Sequence, residues 1–456
     1  MSSEQEGGGS SSPKSSSPKV TRRDILKAGA AGAVGLGAAA LATPALAAST
    51  APQAPALLRH NSPQTLKLLS WVQFEPGRKD AWKAVLDKFN ASQKDYNVVF
   101  SGWESNIFTT QVLIQAQAGS IDADVMTMIP DLGLRVMQLG LLAPIDDIIA
   151  KLGVHPSRAH DFMRMKGHLY GISIVEVPFA VVYNSQSLAK AGIHQPATTI
   201  DGWQSQLKEL TRKPKQYGIW QPNASAEIFN WWFQLQEFCL AYDTVWAKGK
   251  TPLLNTEPII KGLELWQSQY KNYMAAGATQ DQALRLFSNG QIAEELNVSA
   301  AVNQYKVTSP AIYQYVRSVP PPWPTKKSIS RLHPLGIVAG TSKMDRAKAF
   351  LEFMATPANM AELMEKGLDV VPPYPEVYNV PGFKQYMDSQ FWAKGYLEIN
   401  PVPFPNVMGD FISHNTEFGN IVTTNFQRAL ISNTTVAQAM ETAQQQVVAL
   451  GQRVFH

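Results

Sequence analysis

LKLLSWVQFEPGRKDAWKAVLDKFNASQKDYNVVF, from Leu66 to Phe100, decides the fold. It opens on a short apolar run, Leu66 to Trp71, and breaks at the turn formers Glu75-Pro76-Gly77. Between Lys79 and Asn90 the apolar positions Trp82, Val85, Leu86 and Phe89 recur at helical spacing. A second apolar run, Tyr96 to Phe100, follows, and then the alternation repeats: a helix is expected over 106–118 and a strand over Asp124 to Ile129. Strand, helix, strand, helix, strand, with crossovers long enough to hold a helix, means an α/β fold with a parallel sheet covered on both faces.

In such sheets ligands collect beyond the carboxyl ends of the strands, where loops and helix N-termini converge. Gln73 and Glu75 follow the first strand and Asp131 follows the third, so topology alone makes them candidates. Asp131 has a second reading as the cap of the next helix.

Upstream, Val20 to Ala47 has the physical pattern of an export signal: a charged segment, an apolar stretch from about Ala28 to Leu41, and a small-residue site at Ala45-Leu46-Ala47. Thr21-Arg22-Arg23-Asp24-Ile25-Leu26-Lys27 resembles the twin-arginine signal, which implies export of an already folded chain by the twin-arginine machinery. Cleavage is expected after Ala47, giving a periplasmic protein. An ordinary secretory signal that happens to carry Arg22 and Arg23 predicts the same compartment. Gly35-Leu36-Gly37-Ala38-Ala39-Ala40 has the spacing of a dinucleotide-binding turn, but the strand before it and the ribose-binding acid after it are missing. Residues 48–64 read as a Pro-containing linker.

Removing 47 of 456 residues leaves about 409, enough for two domains. Residues 1–47 carry five basic and three acidic side chains, so the +4 of the whole chain falls to about +2. That balance gives no reason to invoke nucleic acid. The single cysteine, Cys239, sits between Phe238 and Leu240 and reads as a small buried hydrophobe; no intramolecular disulfide is available. The eight histidines are scattered, and no CxxC or HExxH occurs, so no metal or other cofactor is expected.

Several short blocks, in order, resemble the family 1 extracellular solute-binding proteins of ABC importers, the maltose-binding type. They are 66–90, Ala118-Gly119-Ser120 with Ala123-Asp124-Val125, Gly140 to Asp146, Lys166 to Ile172, Val182-Tyr183-Asn184-Ser185 and Ala191-Gly192-Ile193. Phe287 to Gln291, Ser342-Lys343 with the helix Ala347 to Ala355, and Ala429 to Val448 complete the series. The pattern departs at Gly290-Gln291-Ile292-Ala293-Glu294-Glu295 and at Arg331 to Gly336, both near the cleft in relatives, which bears on ligand identity more than on fold.

The resemblance implies a periplasmic-binding-protein type II-like architecture. Two α/β lobes, 65–178 plus 325–371 and 179–324 plus 372–456, would be joined by hinge crossings with the ligand between them. Crossings are expected near Glu176 to Val182, Val319 to Pro324 and Val371-Pro372-Pro373, where prolines fix φ and withhold donors. The implied role is a monomeric carrier of a small-molecule solute, most naturally a carbohydrate, for ABC permease subunits.

A sugar presents an apolar C–H face for an aromatic ring and hydroxyls that each need a partner. By resemblance Asp131 would accept hydroxyls, Phe229, Asn230 and Trp231 would supply stacking and an amide, and Glu176 would sit at the hinge. Gln73, Glu75, Trp323 and His333 are further candidates. In the cluster Phe229 to Phe233, Trp231 and Trp232 point about 100° apart on a helix, so one is expected to pack inward and the other to face the cleft. Two other readings remain open: an exported glycosidase or lyase, which needs two carboxylates flanking one bond, and a carrier for a polyamine or other cation.

Overall fold

The computed structural model describes residues 63–455. Arg22, Arg23, Ala45, Ala47, the Gly35 to Ala40 run and most of the linker lie outside the described residues.

Strand β1 (Gln64–Leu69) is followed by helix α1 (Arg78–Ser92), β2 (Tyr96–Ser101), α2 (Ser105–Gln117), β3 (Val125–Thr127) and α3 (Pro130–Gln138). The helical spacing works as expected, since Trp82, Val85, Leu86 and Phe89 are the buried face of α1. β2 and β3 flank β1 in parallel, Leu66 opposite Val98 and Leu68 opposite Val125. The turn before α1 needs Gly77 at φ 82°, where a Cβ would also strike the Asn303 side chain.

The chain continues through β4 (Leu142–Ala143), the wholly buried β5 (Ile172–Val177), β6 (Ala180–Asn184), α4 (Ile200–Leu210), β7 (Tyr217–Trp220) and α5 (Ile228–Leu235). Next come α6 (Glu257–Tyr273), β8 (Ile292–Asn297), α7 (Ser299–Thr308), β9 (Val316–Val319) and the long strand β10 (Lys327–Val338). β11 (Asn400–Pro403), α8 (Asn415–Ile431) and α9 (Val436–Val454) follow.

Two main sheets result. The first runs β11-β10-β3-β1-β2, with β4 and β5 also on β10; the second runs β9-β6-β8-β7. The first sheet is therefore mixed rather than purely parallel. β10 lies antiparallel to β3, Gly336 opposite Met126, and antiparallel to β5, Arg331 opposite Val177. In the sequence its stretch Arg331 to Gly336 reads only as a departure from the family pattern near the cleft, and His333 and Pro334 interrupt the apolar run. The ladder with β5 absorbs that interruption as a register shift between Leu332 and Pro334.

The chain passes from the first sheet to the second across Pro178, where the Phe179 amide donates to Ser328 Oγ at 2.8 Å. It returns through Pro320, Pro321, Pro322 and Pro324 into β10. β11, within 372–456, pairs in parallel with β10, Ile329 opposite Val402. α8 and α9 pack on each other and on α5 and α6. Cys239 is enclosed in the turn Gln236–Tyr242, and burial pushes its thiol pKa up.

Candidate functional site

Where strand ends of the two sheets face each other there is a cleft with a cavity volume of about 170 Å3. Trp71 and Glu75 reach it from the loop after β1, Ile129 from the loop after β3, and Val177 from the end of β5. Trp220 and Pro222 reach it from β7, and Asn297 and Val298 from the end of β8. The carboxyl ends of five strands thus converge, as sheet geometry dictates.

On the side of the first sheet the polar centre is Glu75 with Arg78. Trp71 Nε1 donates to Glu75 Oε1 at 3.0 Å, and Arg78 Nη1 lies 3.7 Å from Glu75 Oε2. Arg78 Nη2 donates to Asp369 Oδ1 at 2.9 Å, and Ser299 Oγ donates to the same oxygen at 3.1 Å. Burial raises the Glu75 pKa despite the guanidinium beside it. Glu75 Oε2 and Arg78 Nε are buried with no hydrogen-bond partner among the described residues. Such a pair is costly to leave unmade and is satisfied by a ligand that both donates and accepts.

His333 closes this end, its ring 5.3 Å from Trp71 in an edge-on contact. Burial, and secondarily the charges of Arg78 and Arg331, push its pKa down to about 3, so the imidazole is neutral.

On the side of the second sheet α5 supplies an apolar wall. Phe229 and Phe233, one helical turn apart, lie with ring centroids 6.1 Å apart and planes within 17°. Asn230 Nδ2 donates to Gln280 Oε1 at 3.0 Å, and both residues line the cleft. Asn297 Nδ2 donates to Glu295 Oε2 at 3.1 Å.

Of the residues singled out from the sequence, Glu75, Phe229, Asn230 and His333 are brought together on this cleft. The other five lie off its wall. Gln73 is half-buried in the short turn Val72–Phe74. Asp131, in the first turn of α3, is buried and accepts from Thr416 Oγ1 at 3.1 Å, so it faces α8; burial raises its pKa. Glu176 is buried in β5 beneath Ser330, whose hydroxyl donates to it. Trp231 stacks on Trp266 at 5.4 Å, and Trp323 is wedged between Trp203 and Phe238.

The expectation that one of Trp231 and Trp232 faces the cleft is corrected. Both are core residues, Trp232 packing edge-on against Trp246 at 5.0 Å and donating from Nε1 to Asn415 Oδ1 at 2.8 Å. The cleft face of α5 is instead the i, i+4 pair Phe229 and Phe233. Phe233, Trp71, Trp220, Arg78 and Asn297 were missed in the sequence. The spacing of the two phenylalanines was the signal available for the first of them, and the place of Trp71 at the carboxyl end of the first apolar run was the signal for it.

Residues 84–390 match the family described as bacterial extracellular solute-binding protein. A maltotriose-binding protein of Pyrococcus abyssi (strain GE5 / Orsay) is 24% identical over 335 residues, covering 70% of this chain and 69% of its own. Among solved structures, the GacH receptor of Streptomyces glaucescens, studied unliganded and with acarbose, has a TM-score of 0.73 at 17% identity, covering 86% of this chain and 99% of that one. An ABC transporter solute-binding protein of Thermotoga lettingae bound with α-D-tagatose has a TM-score of 0.75 at 15% identity, covering 86% and 100%. These likenesses establish the fold as that of the two-lobed solute binders.

Proposed function

The chain belongs to the bacterial extracellular solute-binding proteins, and from that premise we propose that it is the substrate-binding component of an ABC importer, holding a neutral sugar or oligosaccharide in the cleft between the two sheets and passing it to membrane permease subunits. One observation carries the reading. The flat apolar wall of Phe229 and Phe233 and the unpartnered oxygen and N–H of Glu75 and Arg78 line the same cavity from different halves of the molecule. An aromatic wall suits the C–H face of a pyranose, and a carboxylate beside a guanidinium suits adjacent hydroxyls that donate and accept.

The lobes are 65–178 plus 325–371 and 179–324 plus 372–456. A solute that touches both favours the closed arrangement by its differential contacts, a hinge motion that needs no chemical step. The family supports an exported location, which fits a periplasmic monomer released after cleavage at Ala47, whether by the twin-arginine or the general route. Among the described residues no helix is long and apolar enough to cross a membrane.

The glycosidase reading needs two carboxylates on one bond, and Glu75 is the one acidic residue among those that line the cleft. A polyamine reading is disfavoured because Arg78 stands beside that carboxylate. Calorimetric titration with maltotriose, tagatose, mannitol and spermidine, followed by chromatography of the recovered solute, tests all three. Stoichiometric heat with a sugar returned unchanged is expected; conversion of the sugar, or binding of spermidine alone, overturns the proposal.

A further inference from the structure

Next to the cleft, β8 carries two adjacent acids, Glu294 and Glu295, both fully buried and neither in an ion pair among the described residues. Strand alternation sends them to opposite faces of the second sheet. Glu294 faces α4, where Trp203 Nε1 donates to it at 2.8 Å and the Gln206 amide donates to its other oxygen. Glu295 faces α7, where Tyr305 Oη donates to Oε2 at 2.6 Å.

Two residues further on, at the strand end, Asn297 points to the same face as Glu295 and donates to the same oxygen at 3.1 Å. Asn297 Oδ1 in turn accepts the Val298 amide at 2.9 Å, and its carbonyl accepts from Tyr396 Oη at 2.9 Å. From this junction α7 departs, carrying Ala300, Ala301 and Gln304 into the cleft wall beside Asn297 and Val298.

We propose that Glu295 is a positioning residue of the ligand cleft: by receiving the Asn297 amide and the Tyr305 hydroxyl together, it fixes the β8–α7 junction that forms one wall. The proposal rests on reading the cleft as the solute site, but its geometry is a property of the solute-free protein. The groups that face Glu295 are the phenols of Tyr305 on α7 and Tyr396 on the short helical turn Lys394–Leu397, with Trp220 opposite it on β7 and Val182 on β6; none carries a compensating positive charge. Burial accordingly raises its pKa to about 7 from 4.5. The closed wall is tightest with Glu295 neutral, because ionisation leaves an uncompensated charge that only an opened, hydrated junction relieves.

The test is pH-resolved hydrogen exchange of the solute-free protein, expressed as protection factors for the amides of 298–304. In the native sequence protection is full below pH 4.5, declines by up to about tenfold per pH unit towards pH 7 and levels off above it. Glu295→Gln keeps an acceptor and removes the titration, so protection there becomes independent of pH. Glu294→Gln, on the other face, leaves the decline in place. Tyr305→Phe removes one donor to the carboxylate and moves the decline to higher pH, which serves if the Gln variant does not fold. A decline that persists unchanged in Glu295→Gln, or a native profile that is flat, overturns the proposal. Repeating the calorimetric titration with maltotriose on these variants then separates the two readings: loss of the pH effect on 298–304 without any sugar binding would count against the function and leave the positioning role standing.

Discussion

Arg331 Nη1 donates to Glu237 Oε1 at 2.6 Å, and both side chains are essentially without solvent exposure. The pair joins β10 of the first sheet to the turn Gln236–Tyr242 that follows α5. Glu237 Oε2 accepts from Ser328 Oγ and the Ile329 amide at 3.0 Å each, and Arg331 Nη2 donates to the Phe233 carbonyl and to Gln236 Oε1 at 3.0 Å, which leaves Arg331 Nε as the buried N–H of the pair without a partner among the described residues. The guanidinium also lies 4.5 Å from the Phe233 ring centroid. Removing one partner strands a buried charge, so Glu237→Gln is expected to cost about 3–5 kcal/mol. Replacing both by apolar residues, Arg331→Met with Glu237→Leu, costs less than either single change. Urea midpoints of Glu237→Gln, Arg331→Met, Glu237→Leu and the double variant check this ordering.

Phe229 is more exposed than its partner residues in the core of α5 and carries little of the fold. Phe229→Ala is therefore expected to leave the unfolding midpoint nearly unchanged while weakening sugar binding. Losing the burial of one phenyl ring amounts to about 1.5–3 kcal/mol, or about ten- to a hundredfold in Kd. Calorimetry with whichever sugar binds the native protein measures it.

His160 is buried with Nε2 accepting the Ser173 amide at 3.0 Å and Nδ1 against the Ser157 carbonyl at 3.2 Å. Burial lowers its pKa from 6.5 to about 4. The folded state favours the neutral ring, so its contribution is fully present above pH 6.5 and is lost as pH falls towards 4, by at most about 3 kcal/mol. Glu294 acts in the opposite sense: burial raises it from 4.5 to about 7, so its contribution is full below pH 4.5 and is lost as pH rises towards 7. Urea unfolding across pH 4–8 should show His160→Gln flattening the acid limb and Glu294→Gln flattening the neutral limb.

Gly262 lies within α6, where alanine would ordinarily be preferred by about 1 kcal/mol. Here a Cβ would collide with the Phe238 carbonyl oxygen, and backbone cannot rotate aside. Gly262→Ala is expected to destabilise the protein, with a lowered Tm in a thermal scan.

The alternation from β1 to β3 was legible because short apolar runs marked the strands and the 3.6 period marked α1, with boundaries within two or three residues of those observed. Glu75 was legible because topology alone puts the residues after a first strand at a ligand crevice. β10 was not, since its proline and histidine break the apolar alternation and its partners β3 and β5 are far away in the sequence. Asp131 and Glu176 show the same limit from the other side. Both stand near the carboxyl end of a strand, yet whether a side chain there meets solvent or Thr416 and Ser330 depends on elements some 150 to 285 residues distant. In the aromatic cluster, composition signalled stacking, but only packing against Trp266 and Trp246 decided which rings were left for the cleft.

The enclosure of Cys239 gives the molecule a built-in timer. A maleimide dye finds no nucleophile while the chain stays folded, since the one thiol is both sealed off and protonated. Labelling must wait for an opening event, so at saturating reagent the rate of dye uptake reads the lifetime of the native state directly.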